Sequence, residues 1–546
     1  MNLTQELLKN KSLIALKPAI RFRDRILTYQ DLDQNTKRSA SVLKAMGITG
    51  GDRVALLLPK GLEFIELHLA ALALGAVALP LNPGYRPEEI AYFLFDSEAN
   101  LLVTFQEKYD ELKKALIGFP DIPVLSIDGE CPNCVSYSRL LTQISEVPDL
   151  TFPTSGEDTA LLCYTSGTTG RSKGAMITHG NLIHNLQALH QAWQWSEKDL
   201  LLHALPLFHI HGLVVALHGG LLAGATLILL DRFDPLVVWQ TVEQESCTLF
   251  MGVPTMYQRL SQAWETLPEK PRLKSLRVFI SGSAPLSETL FNRFREQTGH
   301  TILERYGMTE AGMIASNPYA PEGRKAKSVG YPLAGVQLRV VNSKSDDVIP
   351  GEVGEVWIRG NNIFKGYWRQ HDKTAEAFQN DWFKSGDLGY QDPGDNGRLY
   401  LVGRAKELII SGGLNVYPKE VENILEAHEA VLEAAVSGRP DEDLGEKVLA
   451  AVVLQDGAVL SSDECISYCR KHLAPYKCPK KIVLLPALPR NAMGKLQKGS
   501  LPKIEEFVAV QEWPVQAKKE GIAEAQAGKV VAHDKAMAEL KKWGNR

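Results

Sequence analysis

The chain has 546 residues, of which 45% are hydrophobic and 23% charged, and its formal net charge is −4. This length exceeds what one hydrophobic core usually serves, so we expect two or more domains. The composition is typical of a globular protein, and the slightly acidic balance excludes the basic footprint of a nucleic-acid-binding protein.

The most apolar stretches predict buried elements and not membrane spans. Residues 64–82 and 202–230 are both interrupted by ionisable residues, glycine or proline. Neither keeps an uninterrupted apolar run of bilayer length, so each is expected to form a helix followed by a strand. The first twenty residues lack the apolar core and cleavage site of a signal peptide. We therefore expect a cytoplasmic protein without a transmembrane segment.

Helical patterns alternate with short apolar strand patterns from residue 14 to about residue 330. The patterns are a helix at 29–47 and strands at 53–59, 101–105, 225–230 and 276–282. This alternation predicts an α/β fold of stacked layers with buried, largely parallel sheets.

The pattern changes at residues 330–402, where short alternating strands are separated by glycine turns and predict a small β-rich subdomain. Helix and strand patterns then return on a smaller scale. We expect a large N-terminal domain at 1–403, a small C-terminal α+β domain at 409–507 and an appended charged, helix-prone tail at 508–546.

A glycine-rich stretch at 164–174, YTSGTTGRSKG, combines three glycines with hydroxyl side chains and two cations. Glycine lets backbone N–H groups approach a ligand closely, and such groups with a lysine suit a polyphosphate. The stretch follows the strand pattern TALLCY, and α/β sheets bind ligands at strand ends. It does not match the Walker pattern. Taken alone, it predicts either a phosphate-binding loop or a surface loop without a ligand.

Seven stretches, in order, resemble motifs of the adenylate-forming superfamily, which includes acyl-CoA synthetases, luciferases and peptide-synthetase adenylation domains. They are YTSGTTGRSKGAMITHGNL (164–182), LPLFHIHGL (205–213), ISGSAPL (280–286), ERYGMTE (304–310), KSGDLG (384–389), GRAKELIISGGLNVYPKEVE (403–422) and PRNAMGKLQK (489–498). The resemblance covers nearly everything up to about residue 507, and the motif sequences most resemble those of the malonyl-CoA synthetase branch.

The resemblance implies an ATP-dependent, AMP-forming acid–CoA ligase that uses Mg²⁺ and takes CoA as co-substrate. A carboxylate is a poor acyl donor, because its charge repels nucleophiles and oxide is a poor leaving group. Joining it to AMP releases pyrophosphate, and a thiolate then displaces AMP. The first step brings two anions together, so the site must supply positive charge and alignment.

The resemblance also assigns the nucleotide contacts. The glycine-rich stretch would bind the β- and γ-phosphates, Tyr306 would stack on adenine, and Asp387 with Arg404 would bind the ribose hydroxyls. The residues given a nucleotide role are Thr165, Ser166, Gly167, Thr168, Thr169, Gly170, Lys173, Ser283, Ala284, Pro285, Glu304, Tyr306, Gly307, Met308, Asp387 and Arg404. Tyr306 as an ordinary core residue and Asp387 as a turn residue are the alternatives.

Four residues are assigned catalytic roles by the same resemblance. Lys495 would bridge the substrate carboxylate and the α-phosphate, and Thr309 would donate to the α-phosphate. Glu310 would hold Mg²⁺, a cation that prefers oxygen ligands. His209 would border the carboxylate site, with a satisfied core histidine as the alternative. Lys495 could instead be a solvated surface lysine.

Two further assignments concern the small domain. Lys406 occupies the family's hinge position, within 404–408, where the small domain rotates between adenylation and thiolation. Gly412 and Gly413 would leave room for the pantetheine arm of CoA. An exposed linker lysine without a special role is the alternative for Lys406.

Arg305 is the residue that bears on the acid substrate. An unpaired buried charge would be costly beside a lipid tail, whereas a guanidinium can bind a second carboxylate with two hydrogen bonds. The resemblance adds Arg259 and His209 to the acyl site. Pairing of Arg305 with an acid outside the pocket remains an alternative.

The sequence thus predicts an acyl-CoA synthetase for malonate or another short dicarboxylate. A medium- or long-chain fatty acid–CoA ligase is the alternative, and a non-catalytic adenylate-binding protein is a third hypothesis. The expected partners are a small carboxylic acid, ATP and CoA, without nucleic acid. A homodimer is compatible with the sequence, which does not fix the oligomeric state.

Overall fold

The structure is a computed structural model that describes residues 1–9, 12–118, 121–130, 133–144, 154–165, 172–441, 443–490 and 496–501. The chain divides into two compact units between Lys406 and Glu407. This division falls inside the segment 404–408 that the sequence marks as a hinge. Among the described residues, every helix is too short or too polar to cross a bilayer.

The first unit carries strands β1–β22. They are β1 Pro18–Phe22, β2 Arg25–Thr28, β3 Arg53–Leu56, β4 Val77–Pro80, β5 Leu101–Thr104, β6 Val124–Ser126, β7 Val135–Ser136, β8 Thr159–Thr165, β9 Lys173–Thr178, β10 Leu200–His203, β11 Thr226–Leu229, β12 Leu249–Gly252, β13 Val278–Ser281, β14 Leu303–Met308, β15 Gly312–Ser316, β16 Ser328–Pro332, β17 Val336–Val341, β18 Gly354–Gly360, β19 Gly366–Tyr367, β20 Phe378–Gln379, β21 Trp382–Asp392 and β22 Arg398–Arg404.

The first unit also contains helices α1–α12, a π-helix at His211–His218 and short 3-10 helices. The helices are α1 Leu3–Leu7, α2 Tyr29–Ala45, α3 Leu62–Ala73, α4 Pro87–Asp96, α5 Gln106–Leu112, α6 Tyr137–Gln143, α7 His179–Trp193, α8 Gly219–Ala223, α9 Pro235–Gln244, α10 Pro254–Thr266, α11 Glu288–Thr298 and α12 His371–Ala377.

Two large sheets organise the first unit. One runs β2-β1-β11-β10-β12-β13-β14-β15-β16-β22-β21-β18-β17, with β20 paired to β21. The other runs β19-β9-β8-β4-β3-β5-β6-β7. Central strands such as β4, β12 and β13 are apolar and buried along their whole length, as expected for parallel strands covered on both faces.

Local sequence signals explain where the helices begin. Thr28 and Asp31 form a capping box at the start of α2, and Thr178 and Asn181 do the same for α7. Asp234 accepts hydrogen bonds from the first turn of α9, which begins with a proline. With these caps, α2 and α7 begin directly after β2 and β9, and α9 follows β11 after a short loop, as the alternating pattern predicts.

The second unit begins at Glu407. Its elements are β23 Ile409–Ser411, β24 Leu414–Val416, α13 Pro418–Glu426, β25 Val431–Asp441, β26 Gly445–Leu454, α14 Ser462–His472 and β27 Lys481–Leu484. The strands form one sheet in the order β24-β23-β26-β25, with β27 paired parallel to β26. Apolar side chains of both helices are buried in a core cluster that also includes side chains of β25 and β26. The predicted fold class, a large α/β domain followed by a small α+β domain, is confirmed.

Candidate active site

The two ends of the glycine-rich loop lie side by side. Strands β8 and β9 form an antiparallel pair in which Thr165 is opposite Lys173. The predicted phosphate contacts Ser166, Gly167, Thr168, Thr169 and Gly170 lie outside the described residues. The described part therefore places a hydroxyl and an ammonium at the two points where the chain enters and leaves this loop.

Glu310 lies in the turn between β14 and β15, next to the end of β8. Thr165 Oγ1 donates to Glu310 Oε1 over 3.4 Å. Thr309 precedes Glu310 and is half-buried. Gly307 lies at the end of β14, where an added Cβ would stand 2.4 Å from the Gly312 carbonyl oxygen, so this tight pair of strands requires glycine. Met308 packs against the core beside it.

Tyr367 connects the loop lysine with Glu310, although the sequence did not single it out. Its hydroxyl donates to Glu310 Oε1 over 3.1 Å, and Lys173 Nζ lies 4.5 Å from the centre of its ring. Burial lowers the pKa of Lys173, and the nearby cations Lys373 and Lys406 lower it further. Burial and the adjacent Glu310 raise the pKa of Tyr367, so its phenol remains a donor at neutral pH.

Three predicted nucleotide residues meet around one carboxylate. The Tyr306 hydroxyl donates to Asp387 Oδ2 over 2.5 Å, and Arg404 Nε lies 3.2 Å from Asp387 Oδ1. Arg404 is opposite Asp387 in the pairing of β21 with β22. Burial, together with Asp387, raises the pKa of Tyr306 well above its ordinary value. The structure therefore brings these residues together, whereas stacking of Tyr306 on adenine stays a prediction.

The turn after β13 is held by a buried glutamate. Glu304 Oε1 accepts a hydrogen bond from the Leu286 N–H over 2.8 Å. Ser283, Ala284 and Pro285 in this turn are exposed, and Ser283 has a φ of 70°, an unusual value for a residue with a side chain. Glu304 thus helps to fix the shape of the turn that is predicted to contact the nucleotide.

Arg305 points its guanidinium into the interior of the first unit. The residue is 3% exposed, and its Nε and Nη2 have no hydrogen-bond partner among the described residues. An added Cβ at Gly282 would stand 2.3 Å from Arg305 Cζ, so the guanidinium packs directly on the glycine backbone. Burial lowers the pKa of Arg305 to about 9, which leaves the group charged at neutral pH.

A histidine of the π-helix completes the surroundings of this arginine. His211 Nδ1 and Ser283 Oγ are 3.2 Å apart, and His211 Nε2 has no hydrogen-bond partner within the described ranges. Burial and then the charge of Arg305 lower the pKa of His211 well below its ordinary value. The neighbouring His209 is half-buried, with its ring 5.7 Å from that of Phe208. The sequence left His211 without a role, yet this histidine is close enough to the guanidinium for its charge to act on the imidazole.

Arg259 is not brought to this cluster. It lies on α10, two residues after the buried Tyr257, and its side chain is exposed. Residues two apart lie on nearly opposite sides of a helix. Tyr257 is the residue of this helix that neighbours Arg305 electrostatically, so an acyl-site role for Arg259 stays a prediction.

Of the residues assigned to the small domain and its hinge, Lys406 is the last residue of the first unit, and the others belong to the second unit. Lys406 is exposed, immediately before the division between the units. Gly412 and Gly413 form the two-residue turn between β23 and β24 with φ values of 59° and 76°, a conformation that favours glycine. Lys495 lies outside the described residues, but Arg490 and Leu496 on either side of it are paired by an antiparallel bridge.

Comparison with known proteins gives this arrangement its family. The AMP-binding enzyme family model matches residues 15–368, and the model of the AMP-binding enzyme C-terminal domain matches residues 420–495. The chain belongs to the AMP-binding enzyme family. It is an ATP-dependent, AMP-forming acid–CoA ligase, as the motifs predict, and it uses ATP, Mg²⁺ and CoA.

Relatives of this AMP-binding enzyme differ in the acid that their names state. A malonate–CoA ligase of Homo sapiens is 34% identical over 88% of this chain and 90% of its own length. A feruloyl-CoA synthase of Amycolatopsis is 37% identical over 88% of this chain and 95% of its own length. The solved structure of ATP-bound MatB from Rhodopseudomonas palustris is 38% identical, covers 93% of this chain and 100% of its own, and has a TM-score of 0.85.

The described residues fit the magnesium ion that this AMP-binding enzyme uses. They contain no cluster of three or more histidine, cysteine or acidic side chains that could hold a metal by themselves. Mg²⁺ commonly binds to one or two carboxylates and takes its other ligands from substrate phosphates and water. Glu310, which contacts Thr165 and Tyr367, is the carboxylate that would hold it, and the bound ion would offset negative charge on the phosphates.

Proposed function

We propose that this AMP-forming ligase activates malonate or another short dicarboxylate. The observation that supports the proposal is the buried Arg305, whose guanidinium leaves Nε–H and Nη2–H without partners among the described residues. A buried charged donor without a partner is costly, and a carboxylate that accepts two hydrogen bonds from it removes that cost. A neutral acyl chain would leave the cost in place.

The surrounding groups also suit a small polar substrate. Among the described residues, His211 Nε2 has no hydrogen-bond partner. The charge of the same guanidinium acts on this imidazole. The backbone of Gly282 lies against the guanidinium and leaves no space there for a side chain. These features describe a confined, cationic end of the acyl site.

The proposed mechanism assigns one task to each part of the site. The phosphate loop and Lys173 hold the triphosphate, Thr309 donates to the α-phosphate, and Asp387 with Arg404 holds the ribose. Arg305 binds the distal carboxylate and so directs the reacting carboxylate toward the α-phosphorus. Lys495 offsets the charge of the two approaching anions during adenylation, which is transition-state stabilisation by a positioned charge.

The second half-reaction belongs to the other unit in this proposal. The segment around Lys406 acts as the hinge, and the turn at Gly412 and Gly413 borders the pantetheine arm of CoA. The CoA thiolate attacks the acyl carbon, the C–O bond to AMP breaks, and acyl-CoA and AMP are released.

The proposal is tested with a panel of acids assayed by pyrophosphate release, with and without CoA. The panel contains malonate, succinate, butyrate, octanoate and ferulate. We expect malonate to have the highest kcat/KM, at least about tenfold above butyrate, because each 1.4 kcal/mol of transition-state binding is tenfold in rate. Preference for octanoate supports the fatty acid alternative, preference for ferulate supports an aromatic acid, and either result refutes the dicarboxylate proposal.

A further inference from the structure

The segment from Phe364 to Trp368 joins two parts of the ATP site through its backbone. The Phe364 N–H donates to the Glu310 carbonyl oxygen over 2.8 Å. The Trp368 N–H donates to the Gly174 carbonyl oxygen over 2.7 Å, directly after the loop lysine. The position of Tyr367 is therefore fixed relative to both the strand of Lys173 and the turn of Glu310.

The side chain of Tyr367 contacts both of the charged groups. Its hydroxyl donates to Glu310 Oε1 over 3.1 Å, and its ring lies 4.5 Å from Lys173 Nζ. The residue is only 9% exposed, and its ring packs against Phe364 at 4.9 Å between centres. Tyr367 thus occupies the space beside the ammonium and the carboxylate and has little freedom to leave it.

Lys173 and Glu310 carry opposite charges and both contact Tyr367, so a direct ion pair between them would be favourable. Burial lowers the pKa of Lys173 and Glu310 partly opposes this electrostatically, yet no ion pair joins the two side chains in the part of the chain that the structure describes. A direct pair would occupy the ammonium that the phosphates need and the carboxylate that the metal ion needs. The ring offers Lys173 a weaker cation–π contact that phosphate oxygens can replace.

We propose that Tyr367 is a positioning residue of the ATP site, which keeps Lys173 and Glu310 apart and ready for the phosphates and the metal ion of MgATP. This inference rests on the proposed phosphate and metal roles of those two residues, and it does not depend on which acid is the substrate. The hydroxyl orients the carboxylate, and the ring supports the ammonium.

Two variants separate these tasks. Tyr367→Phe keeps the ring and removes the hydroxyl, so we expect the Mg²⁺ concentration for half-maximal ATP binding to rise about threefold to tenfold, the effect of one hydrogen bond. Its affinity for ATP at saturating Mg²⁺ should stay within about twofold of the wild type. Tyr367→Leu removes the ring as well, and ATP affinity should fall even at saturating Mg²⁺.

ATP binding is measured by calorimetry on the full chain at a series of Mg²⁺ concentrations. Tyr109→Phe is the matched control, because Tyr109 packs against a core cluster of the same unit and its hydroxyl has no hydrogen-bond partner among the described residues. This control should bind ATP like the wild type. In the double variant with Glu310→Gln, the effect of Tyr367→Phe on Mg²⁺ dependence should disappear, because the two groups act as one unit.

The inference is overturned if Tyr367→Phe leaves the Mg²⁺ dependence unchanged, or if its effect persists in full beside Glu310→Gln. It is also overturned if Tyr367→Leu binds ATP as tightly as the wild type. Because calorimetry needs no acid substrate, a failure here is distinct from a failure of the malonate proposal. Normal ATP binding by both variants would overturn the role of Tyr367 without affecting the malonate proposal, which the acid panel tests.

Discussion

Glu66 is a buried acid of the first unit that lies on α3, outside the ATP site. It is 6% exposed, and Asn35 Nδ2 donates to its Oε1 over 2.8 Å. Burial raises the pKa of Glu66 from 4.5 to about 7, an effect that the hydrogen bond from Asn35 only partly opposes. The folded protein therefore holds a proton on this carboxyl at pH values where the unfolded chain releases it.

Glu66→Gln should remove this pH dependence. The stability from the bound proton is fully present below pH 4.5 and is lost as pH rises through about 7. At pH 8 the variant should be more stable than the wild type by about 1–3 kcal/mol, since one pKa unit corresponds to about 1.4 kcal/mol. The measurement is the thermal denaturation midpoint between pH 4.5 and 8.

Glu269→Gln serves as the control for this pH series, because Glu269 is exposed in the loop after α10. Its midpoint should follow that of the wild type at every pH. If Glu66→Gln is less stable than the wild type at pH 8, the conclusion that burial raises the pKa of Glu66 is wrong.

Individual site residues were predictable to the extent that a motif carries them. Arg305 and Glu310 stand within one motif, and their residue types state their chemistry. Tyr367 lies 57 positions after Glu310 and far from Lys173 along the chain, so no spacing connects them. Its role depends on the pairing of β19 with β9, which is a tertiary contact.

At the scale of elements, the turn between β23 and β24 has two possible reasons to contain glycine. One is its backbone conformation, and the other is the space that a bound ligand would need. Both of its glycines have positive φ, which a two-residue hairpin needs. A Cβ added at Gly413 would meet nothing within 4 Å in the described structure. A side chain at this position would therefore be resisted by the backbone conformation and, if CoA passes there, by the ligand.

Gly413→Ala and Gly413→Asn distinguish these two requirements. Asparagine tolerates the left-handed conformation far better than alanine. If the turn borders CoA, both variants should slow thiolation roughly fivefold or more, which corresponds to about 1 kcal/mol. Acyl-AMP formation measured without CoA should be unchanged. Recovery of normal thiolation in Gly413→Asn would show that the turn needs glycine only for its backbone.

The predicted elements agree with the structure where hydrophobic pattern alone decides them. The strand patterns at 53–59 and 276–282 contain β3 and β13, and the helix pattern at 29–47 contains α2. The π-helix at His211–His218 was not predicted, because its backbone depends on tertiary contacts. His203 Nε2 lies 2.8 Å from the Gly212 carbonyl oxygen, and Gly212 packs so closely on Pro206 that a Cβ would not fit.

At the scale of the whole molecule, the family match covers both units, as the order of the seven motifs predicts. The division between Lys406 and Glu407 gives each unit its own core. The identity of the acid is the property that the family match does not decide, since relatives that match most of this chain are named for different acids. In our proposal, that choice depends on Arg305 and the side chains around it.

The most direct test of the dicarboxylate proposal is the ratio of kcat/KM for malonate to that for butyrate, measured by pyrophosphate release in the wild type and in Arg305→Met. We predict that Arg305→Met lowers kcat/KM for malonate by about a hundredfold, the loss of roughly 2–3 kcal/mol from a charge-assisted pair, while butyrate changes by no more than about threefold. An equal loss for both acids, or an undiminished preference for malonate in the variant, would contradict the role of Arg305.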